Sequence, residues 1–318
     1  MSMKTKPIPV GRPTFLGSPR CEDLDLLDAD VAIIGVPYST PYEVQSPIFL
    51  CGSAPDAIRQ QSMRLVPTLS HYNFDFDGSI LADRVVRIAD CGDVAMTPGE
   101  FENNIRAASA AIKAILDRGA IPIVLGGDHG VSIPAMLAYE NLHPMCVVQI
   151  DAHLDWRDEV NGVHFGQSNP MRRASEMAWV NSMIQIGLRG AGSARRAEVD
   201  AARAYGSVLV KAEELHRLGV DEILRRVPAA ERYYVTIDVD GLDPSIAPGT
   251  CFPSFGGLTY YEATNLLRGI ASKGKVVGLD FVEVAPSLDM ANITSFLAAQ
   301  LIVNMIGALA HEGQIGSR

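Results

Sequence analysis

Short apolar runs rich in β-branched residues alternate along this chain with longer stretches in which apolar positions recur every three or four residues. The runs fall at 31–38 (VAIIGVPY), 87–94 (RIADCGDV), 121–127 (IPIVLGG), 146–153 (CVVQIDAH), 183–190 (MIQIGLRG), 207–212 (SVLVKA), 233–240 (YYVTIDVD) and 275–284 (KVVGLDFVEV). Continuous Val/Ile-rich runs of this length predict strands covered on both faces, as in a parallel sheet. Between them the helical period predicts helices near 101–118, 130–142, 194–205, 213–226, 259–273 and 290–311. In the first of these, Phe101, Ile105, Ala108, Ile112 and Ile115 share one face. Strand–helix alternation predicts an α/β fold with right-handed crossovers and helices on both sides of the sheet.

Residues 1–28 are rich in Pro and charge and read as an N-terminal arm. No Pro/Gly/Ser-rich linker divides the chain after residue 30, so 29–318 reads as a single catalytic-sized domain. The stretch 39–53 has no clear periodicity and reads as a long loop, a kind of segment that often carries function.

Composition narrows the function classes. The 318 residues are 47% hydrophobic and 20% charged, with a net charge of −10. Such an acidic chain is a poor binder of nucleic acid or of a membrane surface and mildly favours cationic ligands. No secretory signal and no membrane span are expected. Five cysteines (Cys21, Cys51, Cys91, Cys146, Cys251) are scattered without a CxxC pair. That spacing argues against a thiolate zinc site and for reduced thiols in a cytoplasmic protein.

Ligands of open parallel sheets bind beyond the carboxyl ends of the strands. Four strand ends here are polar. The run 121–127 leads into Asp128 and His129, 146–153 into DAHLD, 233–240 into DVDGLDP, and 275–284 carries Glu283. Asp151 and His153 are two apart and point the same way, as do Asp238 and Asp240. Asp155 can curl to the same point. Clustered carboxylates repel in a low-dielectric cleft unless some are protonated or cations stand between them.

Taken singly, each group has an ordinary reading. An Asp after a strand commonly caps or turns the chain, and Asp243 before Pro244 reads that way. Asp128 reads as a residue that orients a loop or a ligand histidine. His71, His143, His216 and His311 read as ordinary core or surface histidines. The set as a whole does not. Oxygen donors with two imidazoles suit manganese, with nickel or cobalt as alternatives. Six donors exceed one ion and fit two divalent ions sharing carboxylates, about 3.5–4 Å apart. Such a pair deprotonates water near neutral pH, which makes a hydrolase the leading class.

The motifs GGDHG, DAHLD and DVDGLDPSIAPGT, in this order, together with IQIGLRG and GLDFVEVAP, resemble those of the ureohydrolases: arginases, agmatinases and related guanidino-compound amidinohydrolases. The resemblance covers about residues 30 to 311 and is nearer the agmatinase type. It implies a three-layer α/β/α sandwich with a mostly parallel, eight-stranded sheet, two manganese ions, and a homo-oligomer, trimer or hexamer. It further implies one ion held by His129, Asp151, Asp155 and Asp238, and the other by Asp151, His153, Asp238 and Asp240, with Asp151 and Asp238 shared. Glu283 would hold the substrate guanidinium, a planar fork of donors that wants a bidentate acceptor. His164, in GVHFGQ, would give a proton to the leaving amine.

The implied reaction is hydrolysis of a guanidino compound (agmatine, a guanidino acid or a small alkylguanidine) to urea and an amine. A formimino-type C–N hydrolase and a non-catalytic regulatory subunit are the alternatives. The pocket wall departs from the family pattern. GTCFPSFGG stands where agmatinases commonly read close to GTGTPEPGG, so Phe252, Ser254 and Phe255 should make it bulkier and more apolar. Arg157, in WRDE, could meet a carboxylate tail, and Asp158 or Glu159 an amine tail.

Overall fold

The computed structural model describes all residues except 1, 2, 10, 39–41, 43–46, 98, 141, 143, 193 and 318. His143 and much of the 39–53 loop therefore lie outside the described residues.

Among the described residues, eight strands form one sheet: β1 (Val31–Val36), β2 (Ile88–Asp93), β3 (Ile121–Gly126), β4 (Met145–Ile150), β5 (Val180–Leu188), β6 (Val208–Lys211), β7 (Arg232–Asp238) and β8 (Lys275–Val282). Each coincides with one of the eight apolar runs. Their spatial order is β2-β1-β3-β8-β7-β4-β5-β6, with every pairing parallel. The period of two divides the strands between two cores. In β1, Val31 and Ile33 face one core, while Ala32, Ile34 and Val36 face the other. In β4, Cys146, Val148 and Ile150 face the first, and Met145 and Val147 the second. Burial on both faces is why these strands are apolar without alternation.

Among the described residues, nine helices fill the outer layers: α1 (Ala54–Ser62), α2 (Phe101–Asp117), α3 (Ser132–Leu137), α4 (Pro170–Ala174), α5 (Arg196–Tyr205), α6 (Ala212–Leu218), α7 (Val220–Arg226), α8 (Tyr260–Lys273) and α9 (Ile293–His311). Ile58 of α1, Leu215 of α6, Ile223 of α7, Leu266 of α8 and Leu301 of α9 belong to the first core. Ile112 of α2, Met136 of α3, Met171 of α4 and Ala202 of α5 belong to the second. The result is a three-layer α/β/α sandwich.

Three expectations are corrected. The helix expected over 213–226 is two, because Gly219 sits at φ 81° and ends the first. The helix expected over 130–142 shrinks to α3. The segment Met290–His311 is long and apolar enough to cross a membrane, contrary to the expectation of no such stretch, but 83% of its most apolar 18-residue stretch is buried within the protein. It is the core helix of the first layer.

The N-terminal arm is docked. Lys6 donates its backbone N–H to Asp93 O (2.7 Å) and Cys21 to Asp90 O (2.9 Å), while Phe15 and Leu24 are buried. It thereby covers the outer edge of β2, which would otherwise present unpaired backbone groups. Beneath that edge, Arg59 of α1 is fully buried. Its guanidinium donates to Asp90 Oδ2 (2.9 Å), Asp90 Oδ1 (3.0 Å), Asp93 Oδ1 (2.7 Å) and Gly92 O (2.9 Å). The backbone N–H groups of Phe15 and Gly92 complete the Asp90 carboxylate.

Candidate metal centre and substrate cavity

The four polar strand ends belong to β3, β8, β7 and β4, which are contiguous in the sheet. All four carboxyl ends open on one rim, so the residues beyond them converge. Two glycines permit the approach. A Cβ on Gly241 would stand 2.7 Å from the Asp151 backbone N, and one on Gly127 would stand 1.8 Å from the Tyr38 carbonyl oxygen. The Gly that follows Asp240 thus lets the β7 tip close on the β4 tip.

The structure brings together all six residues expected to hold metal. His129 Nδ1 lies 3.0 Å from Asp151 Oδ2, 2.9 Å from Asp155 Oδ2 and 3.2 Å from Asp238 Oδ2. His153 Nδ1 lies 3.0 Å from Asp240 Oδ2 and 3.6 Å from Asp151 Oδ1. Two donor sets result among the described residues, each with ligand atoms within 4.8 Å: His129, Asp151 and Asp238, and Asp151, His153 and Asp240. Asp151 is common to both.

Backbone and buried side chains aim these groups. Asp240 N–H donates to Asp238 Oδ1 (2.9 Å), His153 N–H to Asp151 Oδ1 (2.6 Å) and Ala152 N–H to Asp240 Oδ1 (3.2 Å). Gln149 Nε2 donates to Asp151 Oδ2 (2.6 Å), and its own Oε1 accepts from Gln185 (2.6 Å). Asp155 and Glu283 hold φ of 49° and 65°, a left-handed backbone that non-glycine residues adopt at a cost and that clusters at functional sites. Asp128 caps the turn after β3 by accepting from Gly130 N–H, and Asp243 accepts from Ser245, Gly256 and Gly257 N–H as a turn former.

The electrostatics show a site short of positive charge. Burial, then Asp155, Asp238 and Asp240, push the Asp151 carboxyl well above the usual range. Burial and Asp240 raise Asp238 to about 7. Burial works against a charged His153, yet its bond to Asp240 and the surrounding carboxylates raise it to about 10. His129 is raised for the same reason, by Asp151, Asp155 and Asp238 against its burial. Left alone, Asp151 and Asp238 are drawn toward their neutral forms, and the surrounding carboxylates draw protons onto both imidazoles.

One buried atom tests whether metal ions fit. His129 Nε2 lies 3.0 Å from Thr236 Oγ1, which lies 3.1 Å from Ser132 Oγ. With Nε2 donating to Thr236, Nδ1 carries a lone pair. That Nδ1 is fully buried, has no hydrogen-bond partner of acceptable geometry, and faces three carboxylate oxygens. A lone pair aimed at three anions is repulsive unless a proton or a metal cation lies between them, and one imidazole with three carboxylates is a donor set that fits a divalent ion there.

Glu283 stands beside this cluster. Its Oε1 accepts from His129 N–H (2.8 Å), and Cys51 Sγ lies 3.5 Å from its Oε2. Burial, with Asp238 and Asp128, raises its pKa well above the carboxylate range. A cavity of about 220 Å³ opens on this carboxylate and is lined also by His153, Asp155, Asp238, Asp240, Gln167, Ser168 and Phe252.

The remaining expected residues are placed differently. His164 is exposed, donates Nδ1–H to the Asp158 carbonyl (3.0 Å) and does not line the cavity. Arg157 is turned away, its Nε 3.7 Å from Glu198 Oε1. Ser254 is half-buried and does not line the cavity, its carbonyl accepting from Arg189 (2.8 Å). Phe252, by contrast, does line the cavity. Sequence reasoning missed Gln149 and Thr236, although a Gln in CVVQI and a Thr in YYVTID are polar intrusions into buried strands. It also missed Cys51 and Cys251, which nothing local brings together.

Comparison with known proteins agrees with this geometry. The arginase family profile matches residues 29–307. The chain is 33% identical to a guanidinopropionase of Pseudomonas aeruginosa, over 94% of this chain and 92% of that protein. It is also 33% identical to an agmatinase of Pyrococcus horikoshii, over 90% of this chain and 94% of that one. Among solved structures, proclavaminate amidino hydrolase from Streptomyces clavuligerus superposes with a TM-score of 0.80 at 30% identity, over 94% of this chain and 97% of that one.

Proposed function

The chain belongs to the arginase family, and from that premise we propose that it hydrolyses a small guanidino compound to urea and an amine at a two-metal centre. It is a hydrolase of C–N bonds in guanidino compounds. The observation that carries the finer reading is the buried His129 Nδ1 facing three carboxylates, with Glu283 fixed beside it over the same cavity. His129, Asp151, Asp155 and Asp238 would hold one ion, and Asp151, His153, Asp238 and Asp240 the other. Manganese is the first choice for so oxygen-rich a set, before nickel or cobalt. When bound, the ions supply Lewis acidity and a deprotonated water near neutral pH.

The chain's own residues perform the rest. Glu283 accepts the guanidinium with an oxygen whose partner oxygen is pinned by His129 N–H, so the planar cation meets a carboxylate of fixed orientation. A cationic substrate favours ionised Glu283, which burial and its anionic neighbours otherwise oppose. Phe252 supplies an apolar wall that displaces water from the cavity. His164 is proposed as proton donor to the leaving amine, a role that requires its loop to fold inward over bound substrate.

No Lys or Arg lines the cavity among the described residues, and the segment 39–46 contains none in its sequence. A carboxylate tail finds no cationic partner there. Agmatine or a small alkylguanidine is favoured over a guanidino acid. The chain is proposed to act as a homo-oligomer in the cytoplasm, with no nucleic-acid or membrane partner.

Urea release from agmatine, guanidinobutyrate, guanidinopropionate, arginine and small alkylguanidines, measured with manganese, nickel or cobalt, tests this reading. Urea from the tails without carboxylate is expected. Formamide from a formimino substrate, with no urea from any guanidino compound, would replace the reading with the formimino alternative.

A further inference from the structure

Two cysteines 200 positions apart in the chain meet beside the guanidinium seat. Cys51 Sγ lies 3.9 Å from Cys251 Sγ and 3.5 Å from Glu283 Oε2. Both are reduced thiols, Cys51 buried and Cys251 half-buried. Cys51 lies within the 3-10 turn Pro47–Ser53 that leads into α1. Cys251 sits in the loop after β7, and its neighbours on both sides belong to the site. Thr250 pairs with Val284, next to Glu283, and Phe252 lines the cavity. The thiol pair therefore touches the seat directly and flanks it through the backbone.

We propose that Cys51 and Cys251 form a thiol–disulfide couple that sets the guanidinium seat: reduced, Cys51 supports Glu283 Oε2; oxidised, the seat is lost. This inference rests on the reading of Glu283 as the residue that holds the guanidinium. The chemistry balances with a disulfide oxidant such as oxidised glutathione. Cys251, the more accessible sulfur, attacks the glutathione disulfide and releases one glutathione thiol. The Cys51 sulfur then displaces the second from the mixed disulfide. Two protein thiols are oxidised, one glutathione disulfide is reduced, and the two thiol protons end on glutathione.

Bonding draws the sulfurs from 3.9 Å to about 2 Å. That motion takes the Cys51 S–H away from Glu283, because the proton itself is gone. It also pulls Cys251 toward α1 and carries Phe252 with it. A carboxylate that loses this donor is held at Oε1 alone, so the fork a guanidinium must meet no longer has a fixed orientation. In a reducing compartment a bond of this kind is transient and signals oxidant.

The full-length, manganese-loaded protein is incubated in glutathione buffers from reduced to oxidised. Cross-links are mapped on unreduced peptides and urea release is measured on the same samples. A Cys51–Cys251 peptide is expected, with kcat/KM falling about tenfold or more, led by KM, and recovering on reduction with dithiothreitol. Cys251→Ser should form no such cross-link and should hold its own turnover through the same oxidation. Absence of the cross-link, a cross-link to another cysteine, or a cross-linked protein with undiminished kcat/KM would overturn the proposal. If the reduced protein releases no urea from any guanidino compound, the proposed function fails, and the peptide map alone still decides whether the couple exists.

Discussion

Two clusters of buried carboxylates in this molecule are treated in opposite ways. Under the β2 edge, Asp90 and Asp93 meet the Arg59 guanidinium, and backbone donors take up the rest of Asp90. At the rim of β3, β8, β7 and β4, four carboxylates face two imidazoles, and His129 Nδ1 is left without a hydrogen-bonding partner. The first cluster is complete within the protein. The second is incomplete, with anionic donors converging where the chain supplies no permanent cation. Complete neutralisation marks a structural brace, and an unfilled demand for positive charge marks a place where something else must bind. Burial alone does not tell them apart, since Arg59 and Asp90 are as buried as His129 and Asp151.

Removing the cation from the complete cluster should have the largest effect. Arg59→Ala leaves buried Asp90 and half-buried Asp93 without their cation, and a loss of about 3–5 kcal/mol is expected by denaturant unfolding. Asp151→Asn does the reverse at the incomplete cluster. Its apo-protein should unfold no earlier than the parent, because a neutral amide replaces an acid whose ionised form burial and its neighbours oppose. Urea release should drop roughly a thousandfold, about 4 kcal/mol of barrier, with metal content falling in parallel. An unfolding midpoint that falls in Asp151→Asn as it does in Arg59→Ala would erase the distinction. Adding the missing cation should also stabilise only the second cluster. Manganese at about a hundred times its dissociation constant should raise unfolding stability by about 2.7 kcal/mol, and Asp151→Asn should abolish that gain. The smallest effect is expected from Thr236→Val, which removes the partner of His129 Nε2 and should weaken metal binding about 10- to 100-fold by metal titration.

The sheet and most of the cage were legible because their signals are local. A strand buried on both faces announces itself over six residues, and a strand-end pair such as Asp151 and His153 needs only the period of two. Arg59 and Asp90 stand 31 residues apart on different elements, so nothing in either neighbourhood announces the pair. The Cys51–Cys251 contact has the same character at longer range. α1 was missed because APDAIRQQS carries Pro near its start and few apolar positions, and α4 because a five-residue helix has no period to read. The split at Gly219 was hidden within a continuous amphipathic pattern. His164, Arg157 and Ser254 were assigned by motif position, which locates a residue along the chain but not the direction in which its loop turns it.

The backbone bond from His129 N–H to Glu283 Oε1 joins the proposed metal ligand to the proposed substrate seat in one rigid unit. Linkage through such a unit is reciprocal: whatever free energy a bound ion lends to the guanidinium, the guanidinium must return to the ion. Substrate therefore acts as a clasp on the metal. An enzyme at work should hold its ions more tightly than one at rest, and metal loss under chelation should slow in proportion to how full the seat is.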